Sequence, residues 1–178
     1  CFLGDRGWTS GFFRLNGRLY QPGDLGRVIG SEIGIQIERP DRPGGVLFDN
    51  MTALDNLCTS LIPKAGQHII RKKIVSSILS EALRWFPKEM LLQPLSSWSY
   101  PERLRFSYYR WYLLNPRLLI CFFPFAGQES THHKMIIDLL VLCAQRGMAV
   151  WIISSGIDAI CEKTDNEEFL RRLHYLNK

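Results

Sequence analysis

Several common signatures of catalytic and targeting chemistry are missing from this chain of 178 residues. Its 5 cysteines form no CxxC pair and no HExxH motif occurs, which excludes the usual zinc-binding patterns. Its longest apolar runs, such as Leu118–Phe125, are far shorter than the roughly 20 residues that span a bilayer as a helix. The first residues do not resemble a signal peptide. The glycine-rich phosphate loop GxxxxGK(S/T) is also absent.

The composition is that of an ordinary globular domain. Hydrophobic residues make up 46% of the chain, and the length fits one domain. The odd number of cysteines, with Cys121 in the most apolar segment, indicates a reducing, cytosolic setting in which cysteine acts as a small hydrophobe. The net charge of +5 is spread along the sequence, so we expect a solvated mixed surface and no nucleic-acid partner.

The N-terminal part has the patterns of β-structure. Asn16-Gly17 lies between apolar stretches in Phe12–Tyr20, which predicts a hairpin. Isoleucine alternates with other residues from Ile33 to Ile37, which predicts a strand. The following residues, Pro40–Gly45, are rich in proline and glycine and predict a loop.

The rest of the chain predicts helices and buried strands. Thr52 is expected to cap a helix that ends near Cys58. Arg117–Phe123 is apolar without alternation, which is typical of a strand covered on both faces of a parallel sheet. The other predicted elements are three helices and one strand: His68–Phe86, Pro101–Leu114, Thr131–Gln145 and Ala149–Ile153.

The longest recognisable pattern in the chain is the stretch Trp98–Gly127. It reads WSYPERLRFSYYRWYLLNPRLLICFFPFAG and follows LSGGQRQRVAIARALL and then xxPxLLILDEPTxG without gaps. The chain thereby resembles the nucleotide-binding domain of an ABC transporter. It is most similar to the second cassette of sugar importers, in which a tryptophan follows the helix arginine as Trp111 follows Arg110 here.

Further segments resemble the same family in the same order, over roughly residues 1–160. Gly34–Leu57 is similar to GIAYVPEDRxxxGLFPxxSVxENL, with Pro40 at the position of its glutamate. Arg146–Ile160 is similar to GxAVLLISSELxEV. The first 20 residues resemble the segment that follows the phosphate loop in the family. The resemblance implies an α/β fold: a P-loop NTPase-like cassette core with a mostly parallel sheet, a small antiparallel β part and a helical subdomain, lacking the phosphate-loop segment.

We expect one cassette-like domain over residues 1–178. Its parts would be a β-rich region with a glutamine-loop-like segment (1–50), a helical subdomain (51–100), and the signature helix with the α/β core (101–178).

The resemblance implies that the chemistry of the family is impaired. The metal-associated aspartate falls on Phe122 and the catalytic glutamate on Phe123, and a phenyl ring can neither bind Mg²⁺ nor take up a proton. The signature glycines become Tyr100 and Pro101, so Ser99 is the one vestigial nucleotide-binding position. Ser99 is equally well explained as a helix N-cap. We therefore expect no catalytic residue, no metal site and no cofactor, where the family would use ATP and Mg²⁺.

Other residues that suggest chemistry have simpler explanations. His132 and His133 are adjacent on a helix and point to different sides, so they are expected to be surface residues. Cys143 and Cys161 are expected to pack in the core. The aromatic residues of the signature helix favour core and partner contacts over base stacking.

We expect a degenerate ABC-transporter ATP-binding domain that serves as a non-hydrolysing interaction or regulatory module linked to carbohydrate transport. One alternative is a fragment of an active sugar-importer ATPase that binds ATP with an upstream phosphate loop or a partner cassette. Another is a cassette-like module of a transcriptional or sensory regulator. The resemblance implies as partner another cassette, a second copy, or a transport or regulatory protein, and a cytoplasmic location with membrane contact only through a partner.

Overall fold

The structure, a computed structural model, describes residues 13–15, 17–20, 28–38, 47–65, 72–125 and 130–154. Within these ranges the side chains at positions 13, 63–65 and 130 are not described. The elements in chain order are β1 (Phe13–Leu15), β2 (Arg18–Tyr20), β3 (Ile33–Ile37), α1 (Ala53–Ala65), α2 (Lys72–Ala82), α3 (Lys88–Leu91), α4 (Tyr100–Leu114), β4 (Leu118–Phe122), α5 (Ser130–Gln145) and β5 (Ala149–Ile153).

The predicted hairpin is confirmed. Strands β1 and β2 pair in antiparallel fashion, with Leu15 opposite Arg18 across a two-residue turn. Gly17 in this turn has φ +77°, a conformation that glycine adopts without steric cost. This hairpin is the small antiparallel part of the fold.

Among the described residues, the core sheet contains three parallel strands in the order β3-β4-β5. Ile37 lies opposite Phe122, and Phe122 lies opposite Ile153, so the carboxyl ends of all three strands meet at one edge. Strand β4 is central, and its first four residues are buried, as its apolar sequence predicts. The mixed α/β fold with a parallel sheet therefore agrees with the expected fold class.

Helix α4 lies between two hydrophobic clusters. Leu104, Tyr108 and Trp111 pack with the sheet and α5 in the first cluster, the sheet cluster. Phe106 and Tyr109 pack on the other side with α1, α2 and Phe86 in the second, the helical cluster. A helix that is apolar on opposite sides is buried by both neighbours, and this position explains why its consecutive aromatic residues serve the core.

The boundaries of α1 and α2 differ from the predicted ones. Helix α1 starts after Thr52, as predicted, but continues to Ala65 because Leu61 still packs against both clusters. Helix α2 covers Lys72–Ala82 within the longer predicted range. Helix α5 and strand β5 agree with prediction, and Gly147 between them has φ +87°. Within the described ranges, no helix combines the length and hydropathy that crossing a membrane requires.

The buried thiols predict how stability depends on alkaline pH. Burial raises the pKa of Cys143 from its ordinary 9.0 to about 12, and burial also raises the pKa of Cys121. Above pH 9 the unfolded chain loses these protons and the folded chain keeps them, so the free energy of unfolding falls as pH rises. We expect a loss of up to about 1.4 kcal/mol per pH unit for each thiol. Urea unfolding at pH 8, 9 and 10 measures this slope.

The matched control for the thiol prediction is the variant with both Cys121→Ala and Cys143→Ala. It should lose less stability than the unmodified chain between pH 9 and 10. An identical slope in the two proteins would contradict the prediction.

Candidate functional site

The carboxyl edge of the parallel sheet holds the two positions at which the resemblance places acidic residues. Phe122 ends β4 and is half-buried against Ile33, Leu118 and Ile120. Phe123 follows and is 44% exposed. Neither side chain offers a lone pair to a cation or a site for a proton. The structure therefore places both rings at the end of the central strand, where the sequence predicts them.

The backbone at Phe123 adopts an unusual conformation for a bulky residue. Its φ is +51°, in the left-handed region that costs a non-glycine residue about 1–2 kcal/mol. Its N–H donates to the carbonyl of Ile153 at 2.7 Å, which continues the pairing with β5 and fixes the turn. Such a strained position persists only where the surrounding structure determines it. The turn after β4 is thus held by backbone bonding, whatever side chain it carries.

A different carboxylate lies at this edge, directly after β3. Glu38 is 2% exposed, and its N–H donates to the carbonyl of Phe122 at 3.2 Å. Its Oε1 accepts a hydrogen bond from Gln36 Nε2 at 2.6 Å. Burial, then the neighbouring Cys121 and Glu38, raise the pKa of Tyr108 well above its usual value. The Glu38 side chain therefore points into the interface between β3 and α4.

The sequence patterns did not single out Gln36 or Glu38. Gln36 lies in β3 and Glu38 directly follows this strand, and their alternation with isoleucine indicated only a strand. The other face of β3 is apolar and β3 pairs with the buried strand β4, so both faces of β3 are expected to be covered. Two polar residues on one face of such a strand need buried hydrogen-bonding partners. That requirement was the signal that could have indicated them.

The described residues at this edge do not offer a binding site for Mg²⁺. This ion prefers carboxylate oxygens together with water and phosphate oxygens. Phe122 and Phe123 supply none, and the Glu38 carboxylate is buried and bonded to Gln36. Within the described ranges, no group of three or more His, Cys, Asp or Glu side chains is arranged to hold a metal.

Ser99 lies at the N-terminus of α4 as its N-cap. Its N–H and its hydroxyl both donate to Glu102 Oε2, at 2.8 and 2.6 Å. The Ser99 side chain also accepts a hydrogen bond from the backbone N–H of Glu102, which completes a capping box at the start of the helix. Nine residues separate Ser99 from Tyr108, or about 14 Å at 1.5 Å per residue. Tyr108 packs in the cluster that includes Cys121 of β4, so Ser99 lies about 14 Å along the helix from that contact.

Removing this cap is expected to have a modest effect. Ser99→Ala deletes the hydroxyl bonded to Glu102 and should lower the free energy of unfolding by about 1 kcal/mol. Urea unfolding monitored by circular dichroism measures this change. Ser96→Ala, three residues earlier at an exposed position, is the control and should change stability by less than about 0.5 kcal/mol. Equal losses in the two variants would contradict the capping role of Ser99.

The three arginines of α4, the signature-like helix, all have local partners. Arg103 forms an ion pair with Asp49, which precedes α1. Arg105 lies over the Phe86 ring at 5.3 Å. Arg110 lies over the Trp111 ring at 4.7 Å, and burial lowers its pKa to about 10.

The two histidines lie on different sides of α5, as predicted. His132 contacts the ring of Tyr100 with centroids 5.8 Å apart, and His133 contacts Phe125 at 5.0 Å. Both are partly buried rather than fully exposed, since each packs on an aromatic ring. The prediction that they are surface residues therefore needs this adjustment.

The loop Pro40–Gly45 and Cys161 lie outside the described residues.

The chain has sequence relatives among ABC proteins. It is 26% identical over 159 residues to a protein of Pseudomonas syringae pv. tomato named as a ribose/galactose/methyl galactoside import ATP-binding protein. The aligned region covers 88% of this chain and 30% of that relative. It is 21% identical over 137 residues to an ABC transporter ATP-binding protein of Clostridium perfringens, covering 76% of this chain and 23% of the relative. No protein-family model matches the chain.

Solved structures of ABC cassettes have the same fold. One is cbiO1 from Clostridium perfringens, part of the ABC transporter complex cbiONQ, with a TM-score of 0.66, 20% identity, and coverage of 88% of this chain and 61% of that chain. Another is a dimeric, post-hydrolysis state of an ATP-binding cassette bound to ADP and Pi, with a TM-score of 0.61, 19% identity, and coverage of 84% and 65%.

These comparisons correct one expectation. The sequence analysis expected no cofactor, whereas the relatives are named as ATP-binding proteins and one structural neighbour holds ADP and Pi. The expectation of no cofactor is therefore wrong for the family. It was drawn from the missing carboxylates, the altered signature glycines and the absent phosphate loop. By sequence and by fold, this chain is related to the ATP-binding cassettes of ABC transporters.

Proposed function

We propose that this chain is a non-hydrolysing ATP-binding cassette that serves as an interaction or regulatory module in an ABC-type sugar import system. The observation behind the proposal is the pair Phe122 and Phe123 at the end of β4. Phosphoryl transfer to water needs a group that positions or deprotonates the water. Neither ring does so, and Glu38 is engaged in the interface with α4.

The system to which the module belongs is inferred from the relatives. Those with 26–27% identity are named as ribose/galactose/methyl galactoside import proteins, which supports a sugar as the transported substrate. Two solved structures of one neighbouring cassette are dimeric, which supports a second cassette as partner. We therefore propose a cytoplasmic cassette that reaches the membrane through a transporter. The chain covers about 30% of the length of those relatives, so these properties belong to the proposal.

The decisive experiment measures ATP turnover by the purified protein with Mg²⁺ present. Ordinary enzymes turn over at about 1 s⁻¹ or faster, and losing a general base costs about 10²–10⁴-fold. We expect turnover of about 10⁻² s⁻¹ or slower. Metal-dependent hydrolysis at about 1 s⁻¹ would overturn the proposal.

A matched variant identifies the source of any activity. If turnover is observed, Glu38→Gln tests whether the carboxylate directly after β3 performs the chemistry. Gln retains the size of the side chain and removes its charge. Lost activity in this variant would show that Glu38 acts in place of the missing pair.

A second function is that of a cassette in an active ATPase, with the hydrolytic site formed together with another cassette. The observation that favours it is the length of the relatives, since this chain covers only 30% of the Pseudomonas protein. In that case, mixing this protein with its transporter complex raises turnover, and the protein alone remains inactive.

A further inference from the structure

Buried hydrogen bonds connect helix α4 to strand β3 just behind the carboxyl edge. The indole N–H of Trp111 donates to Gln36 Oε1 at 2.6 Å. Gln36 Nε2 donates to Glu38 Oε1 at 2.6 Å and to Ser107 Oγ at 3.3 Å. The Ser107 hydroxyl in turn donates to the carbonyl of Leu104 at 2.8 Å. All four side chains of this Gln36 network are at most 6% exposed.

The direction of each bond in the Gln36 network follows from chemistry. An indole N–H can only donate, so the oxygen of the Gln36 amide must face Trp111. The amide nitrogen then faces Glu38 and Ser107, and its two hydrogens have two acceptors. The reversed amide would place N–H against N–H. The network therefore has one arrangement and no equivalent alternative.

Helix α4 also packs in direct contact with strand β3 at this point. A Cβ on Gly34 would lie 2.8 Å from Trp111 Cε3, so the indole packs directly on the β3 backbone. Apolar side chains can slide and repack, whereas directional bonds in a buried site break when the helix shifts. Since α4 also packs with the helical cluster through Phe106 and Tyr109, a fixed α4 ties both clusters together.

We propose that the Gln36 network is a lock that holds α4 in one position on the sheet, so that the helix bearing Ser99 does not shift against β3 when nucleotide is added. The inference rests on the proposed function in one respect, because it describes how a non-hydrolysing cassette presents a constant surface to its partner. A cassette that couples hydrolysis to movement needs a helix that can shift against the sheet.

The test follows the Trp111 indole N–H by NMR in the full protein labelled with ¹⁵N. Trp111→Phe assigns the resonance by removing it. We expect a single resonance with slow solvent exchange that keeps its position when Mg²⁺ and ATP are added. Two resonances, rapid exchange, or a shift of this resonance on nucleotide addition would overturn the lock.

Variants separate a lock from a general contribution to stability. Gln36→Leu should accelerate amide exchange at residues 107–114 by about tenfold or more relative to α5. Ile33→Val removes a methylene from the same strand, on the face that packs with Leu118 and Ile120, and should leave this ratio unchanged. Equal changes in the ratio for both variants would refute the lock. If Gln36→Leu does not fold, Trp111→Phe replaces it, because this variant deletes only the bond to Gln36 Oε1 and part of the ring.

The two proposals can fail separately. Nucleotide-induced movement of the Trp111 resonance without turnover refutes the lock and leaves the proposed function intact. Turnover at about 1 s⁻¹ with an unmoved resonance does the reverse.

Discussion

Phe106→Ala is expected to lower the free energy of unfolding by about 3–5 kcal/mol. Phe106 is fully buried, and its ring makes edge contacts with Trp98 at 5.3 Å and Phe86 at 5.8 Å. Alanine removes the whole ring and leaves a cavity that its aromatic neighbours cannot fill without leaving their own contacts. Urea unfolding at constant pH gives the difference, provided that the dependence on urea is unchanged.

Phe48→Ala is the matched control for this prediction. The same atoms are deleted, but Phe48 is 53% exposed. Phe48→Ala removes the contacts made by the buried half of the ring. Beyond the contribution of those contacts, it should change the free energy of unfolding by no more than about 0.5 kcal/mol. A loss below about 1 kcal/mol for Phe106→Ala would show that α4 does not pack in the helical cluster as described.

Gly34→Val is expected to cost about 3 kcal/mol, the upper end of the usual range for overpacking a core. The Cβ alone would lie 2.8 Å from Trp111 Cε3 and 3.0 Å from Leu119 Cδ1. Neither neighbour can move aside easily, since the indole is held by Gln36 and the Leu119 side chain is fully buried. The higher strand propensity of valine offsets only part of this cost.

A double-mutant cycle tests the cause of that loss. In a Trp111→Leu background the collision with the ring is absent, so Gly34→Val should cost at least about 1 kcal/mol less than in the unmodified chain. Thermal or urea unfolding of the four proteins gives the coupling. If Gly34→Val lowers the free energy of unfolding equally in both backgrounds, the indole does not pack against Gly34.

Local patterns predicted much of the fold. The Asn-Gly turn, the alternating isoleucines of β3 and the uninterrupted apolar residues of β4 each correspond to an observed element. Boundaries were less accurate at α1, because its end depends on Leu61 packing against two clusters. Such contacts join residues far apart in the chain, and a local pattern does not contain them.

The candidate site was predicted in part. The sequence placed Phe122 and Phe123 at the end of a buried strand and Ser99 at the start of a helix, and the structure agrees. It did not predict that Phe123 has a positive φ, because this conformation is imposed by the bond to Ile153 on a neighbouring strand. The role of these residues in nucleotide chemistry remains the subject of the turnover experiment.

The sequence by itself determined which side chains end the central strand and which residue caps the signature-like helix, because strand period, apolar runs and capping residues act over a few neighbouring positions. Only the tertiary structure decided the surroundings of Gln36 and Glu38. Their partners Ser107 and Trp111 lie 71 and 75 positions from Gln36 in the chain, and only the packing of α4 on β3 brings them within hydrogen-bonding distance. A buried polar side chain requires partners, but the chain's local pattern does not say which residues they are.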